Sequence, residues 1–202
     1  MFITFEGIDG CGKSTQLQLF RNELIARKYD VVTVRDPGDT EISEKIREIL
    51  LNVNHNINSI TELFLFEAAR ANLVENVILP AIQNNAFVLS DRFCDSTVVY
   101  QGYGRGISLQ VIDYLNNVAT FNFKPALTFF LDVPLEITLA RKSDVQKDRM
   151  EAVDIDFLQR AINGYKEIAK NEPQRVITID ATGSKNEIAN KIIKYFDEFI
   201  NT

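Results

Sequence analysis

The segment Gly7-Ile8-Asp9-Gly10-Cys11-Gly12-Lys13-Ser14 constrains this chain more than any other. It follows the β-branched and aromatic run Phe2–Phe5 and precedes a stretch with Leu17, Phe20 and Leu24 at helical spacing. A Gly-x4-Gly-Lys-Ser pattern between a strand and a helix is a phosphate loop. Its glycines let backbone N–H groups turn inward around phosphate oxygens, and the helix N-terminus adds positive potential. Lys13 is placed to reach the β and γ phosphates and the Ser14 hydroxyl to ligate Mg²⁺, with Thr15 next in line. Asp9 is unusual, because a carboxylate inside such a loop repels the ligand. It either folds back on its own backbone in a turn or faces an acceptor, taking a hydrogen bond from a sugar hydroxyl. Cys11 reads as a small filler and not as a nucleophile.

Strand-like runs recur at 31–34, 87–89, 127–131 and 176–179, and helical patterns lie between them. A long segment from about Ile60 to Ile82 keeps Leu63, Phe66, Leu73 and Val77 near one face. The last helix runs from Ser184, which can cap it, to near Ile200. This alternation predicts a doubly wound α/β sheet of five parallel strands with helices on both faces, in one domain spanning 1–202. Ligands of such sheets bind beyond the carboxyl ends of the strands. Polar residues gather there: Glu6, Arg35-Asp36, Asp91-Arg92 and Asp132. The fifth strand, ending in Asp180, lacks a nearby cation.

With 22 Lys plus Arg against 28 Asp plus Glu, the formal charge is -6. That argues against tracking a nucleic-acid backbone, which needs a basic surface. Cys11 and Cys94 are too few for a disulfide framework and point to a reducing cytoplasm. Met1 runs straight into the first strand, so no signal peptide is expected, and no apolar run approaches the ~20 residues of a membrane span.

The cations are concentrated. Between Glu48 and Phe123 they are Arg70, Arg92 and Arg105, with no lysine. Arginine's planar fork suits bidentate phosphate recognition. Arg70 lies four residues after Phe66, so the ring and the guanidinium share one helix face. Arg35 and Arg92 end strands, and Arg47 lies on the next helix. Arg105 is either a solvated surface residue or part of the site. Together these arginines suggest a second phosphate site, hence phosphoryl transfer between nucleotides. Asp91, at a strand end, is placed to hold Mg²⁺ through water.

Over essentially its whole length the chain resembles the thymidylate kinase family. The resemblance is carried by Phe5-Glu6-Gly7 through Thr15, by Arg35-Asp36-Pro37-Gly38, and by Glu44-Lys45-Ile46-Arg47. It continues in Leu65-Phe66-Glu67-Ala68-Ala69-Arg70, Asp91-Arg92-Phe93, Asp95-Ser96-Thr97, Tyr100-Gln101-Gly102, Leu131-Asp132-Val133 and Asp180-Ala181-Thr182. It implies transfer of the ATP γ-phosphate to dTMP, with Mg²⁺ as cofactor, by a homodimer. The rivals are a kinase for another acceptor and a nucleotide-dependent switch. The resemblance also implies that Phe66 stacks on thymine, that Arg70 and Gln101 hydrogen-bond the base, and that Thr97 meets the pyrimidine edge. Tyr100 would crowd the sugar 2′ position, Asp9 would meet the 3′-hydroxyl, and Arg35, Arg47 and Arg92 would surround the acceptor phosphate. Pro37 is expected in the cis form. Asp39 stands where the family usually has a second glycine.

Residues 141–152 read as a short mobile lid, charged and poor in apolar residues. Parts of the family carry an arginine in the phosphate loop, and none is present here. The positive charge on the transferred group is then expected from the lid, with Arg149 first and Lys147 and Arg141 behind it. Arg141 also falls beside the expected ATP site.

Overall fold

The computed structural model describes residues 1–141, 149–150 and 154–201. Five strands, β1 (Phe2–Glu6), β2 (Val31–Arg35), β3 (Phe87–Asp91), β4 (Leu127–Asp132) and β5 (Val176–Asp180), pair in parallel in the order β2-β3-β1-β4-β5. Helices connect them: α1 (Lys13–Ala26), α2 (Glu41–Leu51), α3 (Ser59–Leu73), α4 (Leu79–Gln83), α5 (Cys94–Thr97), α6 (Leu109–Ala119), α7 (Leu135–Arg141), α8 (Ile155–Asn171) and α9 (Lys185–Ile200). This is the doubly wound α/β sheet that the alternation predicts.

Alternation along β1 explains the two layers. Ile3 and Phe5 face α1 and α9 in a cluster with Phe20, Phe129 and Phe196, while Phe2 joins Val88, Phe93 and Leu73 on the opposite side. Because β1 lies between β3 and β4, all five of its residues are buried, including the polar Thr4 and Glu6. Thr4 is satisfied by Thr128, with the hydroxyls 2.7 Å apart. Beside α8, Phe130 stacks on Tyr165 at 5.0 Å between centroids.

The segment expected as one helix from 60 to 82 does run without a break, but it passes through a π-helical turn, Val74–Ile78, before α4. Pro80 lies in the first turn of α4 and has no N–H for the carbonyl four residues back, so the turn upstream widens. Ser184 caps α9 in a full capping box with Glu187. One expectation at the strand ends is corrected. Asp180 does meet a cation, since Lys191 Nζ from α9 lies 3.4 Å from its carboxylate and 3.2 Å from its carbonyl oxygen. The partner is eleven residues away in sequence and is delivered by the helix packing on β5.

Candidate active site

The phosphate loop springs from β1, and its glycines are sterically required. Gly7 has φ +141°, and a Cβ there would sit 2.9 Å from the Leu131 carbonyl oxygen and 2.8 Å from Cys11 Sγ. Gly12, at φ +103°, caps α1 in the left-handed region. Cys11 is buried in the core beneath the loop, as a filler would be. Lys13 is buried too, its Nζ donating to the carbonyls of Gly7 (3.0 Å) and Ile8 (3.2 Å), so the ammonium already lies inside the loop. Ser14 Oγ donates to Asp91 Oδ2 at 2.6 Å, joining the start of α1 to the end of β3. These two hard oxygen donors, backed by a phosphate loop, fit Mg²⁺, which takes few protein ligands and completes its shell with water and phosphate oxygens.

Two adjoining cavities flank the loop at this sheet edge. The larger, about 610 Å³, is lined by the loop from Asp9 to Gln16 (Gly10, Thr15 included) and by Arg35, Asp91 and Arg141. The smaller, about 160 Å³, is lined by Phe66, Arg70, Thr97, Tyr100, Gln101 and Met150, among others. Asp9, Asp36, Arg47 and Arg92 line both. Arg92 is held by four groups: Nη2 donates to Asp9 Oδ1 (2.5 Å) and the Tyr100 hydroxyl (3.4 Å), Nη1 to Ser96 Oγ (3.0 Å) and the Tyr165 hydroxyl (3.4 Å). Its backbone is left-handed, φ +73°, a conformation that needs such support in a non-glycine residue. Arg47 Nη1 donates to the Pro37 carbonyl at 2.9 Å, and the Asp36–Pro37 bond is cis, as the resemblance implied. Arg35 is half-exposed and bridges to Glu44 at 2.9 Å.

Asp39 also has a positive φ, +61°, the geometry for which a glycine would be usual. Its carboxylate accepts the Arg35 backbone N–H at 2.5 Å, so the extra charge is turned back on the end of β2.

Arg70 is fully buried and differs from the expected pairing with Phe66. Its guanidinium lies over the Phe93 ring, 5.5 Å from the centroid. It donates to Asp36 (2.6 Å), Glu67 (3.0 Å), Asn116 (2.7 Å) and the Phe93 carbonyl (3.4 Å), which among the described residues leaves one Nη2–H uncommitted. Burial raises the Asp36 carboxyl pKa despite the charge and hydrogen bond of Arg70, and Asp36 Oδ1 is buried with no hydrogen-bond partner among the described residues. Thr97 Oγ1 is likewise buried and unpartnered beside the smaller cavity. The Tyr100 hydroxyl is pushed up by burial, against the pull of Arg92, and stays protonated.

The expected role of Arg149 is not what its placement gives. Its guanidinium donates to Glu62 (2.7 Å) and the Leu50 carbonyl (2.6 Å), and it does not line the larger cavity. Arg141 does, donating to the Gly10 carbonyl at 3.2 Å. Lys147 and most of the expected lid lie outside the described residues. Arg105, left open by the sequence, pairs with Glu62 at 3.2 Å and covers the Phe157 ring.

Sequence reasoning assigned no role to Glu62, Glu6, Ser96 or Tyr165. Glu62 reads as an ordinary acid near a helix start, and nothing local announces its burial. Glu6 ends a central strand. Its oxygens accept from the Phe93 N–H (2.7 Å), Ser96 (2.7 Å) and Tyr165 (2.9 Å), the last 159 residues away. Burial first, and Asp95 second, push its carboxyl up to about 7.

A family profile described as thymidylate kinase matches residues 5–192. The thymidylate kinase of Prosthecochloris aestuarii is 48% identical, over 95% of this chain and 91% of its own. That of Kosmotoga olearia is 46% identical, over 97% and 95%. The crystal structure of thymidylate kinase from Ehrlichia chaffeensis superposes with a TM-score of 0.79 at 34% identity, covering 97% of this chain and 98% of that one.

Proposed function

Since the chain belongs to the thymidylate kinase family, and is an enzyme phosphorylating dTMP to dTDP, we propose that ATP occupies the larger cavity and dTMP the smaller. The observation that carries this reading is the shared wall of Asp9, Asp36, Arg47 and Arg92. A phosphate entering from either side meets the same arginines.

In this reading the loop N–H groups and Lys13 hold the β and γ phosphates of ATP. Ser14, and Asp91 through water, would hold Mg²⁺, which would neutralise phosphate charge. Arg92 and Arg47 hold the acceptor phosphate, with Arg35 at the rim. An acceptor phosphate oxygen attacks the γ phosphorus, the bond to the β-bridging oxygen breaks, and ADP leaves. Positioning and charge neutralisation carry the step, with no covalent enzyme intermediate. Arg141, already against the loop at Gly10, is the cation assigned to the transferred group, in place of Arg149.

Phe66 stacks on the base, Thr97 and Gln101 meet its edge, and Arg70 offers its remaining N–H. Tyr100 and Asp9 face the sugar. The protein acts as a homodimer in the cytoplasm. The dimer is supported by large apolar side chains left exposed on α3 and α6, Phe64, Val111, Tyr114 and Val118, and the reducing compartment by two free thiols.

The test is a coupled assay for ADP release with dTMP, dCMP, dUMP or thymidine as acceptor. Turnover should require dTMP and should vanish in folded Lys13→Ala. A folded Lys13→Ala enzyme with near-normal kcat would overturn the loop assignment.

A further inference from the structure

Glu62 is a carboxylate of the acceptor side that the reaction above leaves without a task, and it is tightly enclosed. It lies near the start of α3 with its side chain 1% exposed. Its Oε1 accepts from Gln101 Nε2 (2.8 Å) and Arg105 Nε (3.2 Å). Its Oε2 accepts from Arg105 Nη2 (3.2 Å) and Arg149 Nη1 (2.7 Å). Three side chains from two separate stretches of the chain, Gln101 with Arg105 and then Arg149, thus converge on a single carboxylate.

We propose that Glu62 is a positioning residue for base selection: it fixes which end of the Gln101 amide faces the acceptor base. The two ends of a glutamine amide are nearly the same size and differ only in hydrogen-bonding sense. An ionised carboxylate can only accept, so the amide N–H must turn to Glu62. The carbonyl oxygen of Gln101 is then the end left for the cavity that Gln101 lines. Arg105 and Arg149 keep Glu62 in the acceptor form. Burial alone would raise its pKa, but the hydrogen bonds from Arg105, Gln101 and Arg149 outweigh that and hold it below the ordinary carboxylate value.

The consequence is a defined pattern at the base edge. Gln101 offers an acceptor, and Arg70 offers its one uncommitted N–H donor. A thymine or uracil ring presents N3–H and O4, which match both. A cytosine ring presents a bare N3 and an amino group, which oppose both. A site built to hydrogen-bond in one sense rejects the opposite pattern strongly, because its own buried groups are left unpaired. This inference rests on the reading that the smaller cavity receives the base.

The experiment compares kcat/KM for dTMP and dCMP in wild type, Glu62→Gln and Gln101→Leu. A glutamine at 62 can donate or accept, which frees the Gln101 amide to turn over. The dTMP/dCMP ratio should fall by about tenfold or more in both variants, with a raised KM for dTMP and an unchanged KM for ATP. If Gln101→Leu lowers the ratio and folded Glu62→Gln does not, the role of Glu62 is overturned while the base-site reading stands. If neither variant changes the ratio, both are overturned. Should Glu62→Gln not fold, ¹⁵N NMR of the wild-type side-chain amides decides. The Gln101 N–H protons should exchange slowly with solvent and stay protected when dTMP binds. Exchange at the rate of an exposed amide would overturn the proposal.

Discussion

Asp9, in the phosphate loop, and Arg92, at the end of β3, are joined through Oδ1 and Nη2 at 2.5 Å. Asp9 also lies 3.7 Å from Lys13 Nζ. One carboxylate therefore bridges the cation of the donor loop and the guanidinium between the two cavities. This answers why an acid is tolerated inside such a loop: two cations, the buried Lys13 and the partly buried Arg92, offset its charge.

Arg92→Lys should be nearly as damaging as Arg92→Ala. The guanidinium reaches Asp9 and Tyr100 with one nitrogen and Ser96 and Tyr165 with the other, and an ammonium cannot span both sets. Both variants should lose about 10²-fold or more in kcat/KM for dTMP, the scale of one lost charge-stabilising donor. A lysine variant within a few-fold of wild type would show that charge alone suffices.

Asp91→Asn should raise the Mg²⁺ concentration for half-maximal turnover, because it removes the charge from the Ser14–Asp91 pair. Titration of activity against Mg²⁺ checks this, with KM for dTMP as the control expected to stay constant.

Phe66→Ala should chiefly raise KM for dTMP and leave KM for ATP unchanged. Loss of base stacking is worth about 1–3 kcal/mol, or roughly 5- to 150-fold. If the variant instead melts earlier and keeps its dTMP affinity, the half-buried ring serves only the cluster it packs against.

Arg141→Ala should depress kcat by about 10³-fold, the lower end of the effect of arginines on transferred phosphoryl groups, with little change in either KM. Arg149→Ala should act on KM for dTMP, through Glu62. Steady-state kinetics of the two variants separate the roles, and the reverse pattern would restore Arg149 as the catalytic cation.

Glu6→Gln should change how stability varies with pH. The Glu6 carboxyl is raised from 4.5 to about 7 by burial and Asp95, against Arg92, Ser96 and Tyr165. The folded state therefore binds more protons than the unfolded state between these values. Its contribution to stability is fully present below about 4.5 and is lost as pH rises through about 7. Melting temperatures measured from pH 4.5 to 7.5 should decline less in the variant than in wild type. Parallel curves would show that Glu6 does not titrate in that range.

Local pattern was enough for the architecture and for the geometry of the glycine-rich loop. A strand, a glycine-rich turn and a helix that are adjacent in sequence must build a phosphate loop, since backbone N–H groups form it and their geometry is set by neighbours. The five strands were equally legible, because a parallel sheet buried on both faces writes itself as short apolar runs. The strand-end acids and arginines followed from where such sheets bind ligands.

What only the tertiary structure decided is which charges meet. Arg70, Arg105 and Arg149 are all arginines of the acceptor half, and their sequence spacing does not distinguish them. Packing of α3 against the segment after α5 gives Arg105 to Glu62, residues 149–150 bring Arg149 to the same carboxylate, and Arg70 goes to Asp36 and Glu67. Tyr165 reaches Glu6 from α8, across the sheet edge. Partners turned Glu6 and Glu62, two buried glutamates alike in sequence, in opposite directions: at Glu6 burial and Asp95 outweigh Arg92 and raise the carboxyl, while at Glu62 the hydrogen bonds from Arg105, Gln101 and Arg149 outweigh burial and lower it. A sequence records which residues can ionise, but the solvent and partners that set their charge are supplied by residues far along the chain.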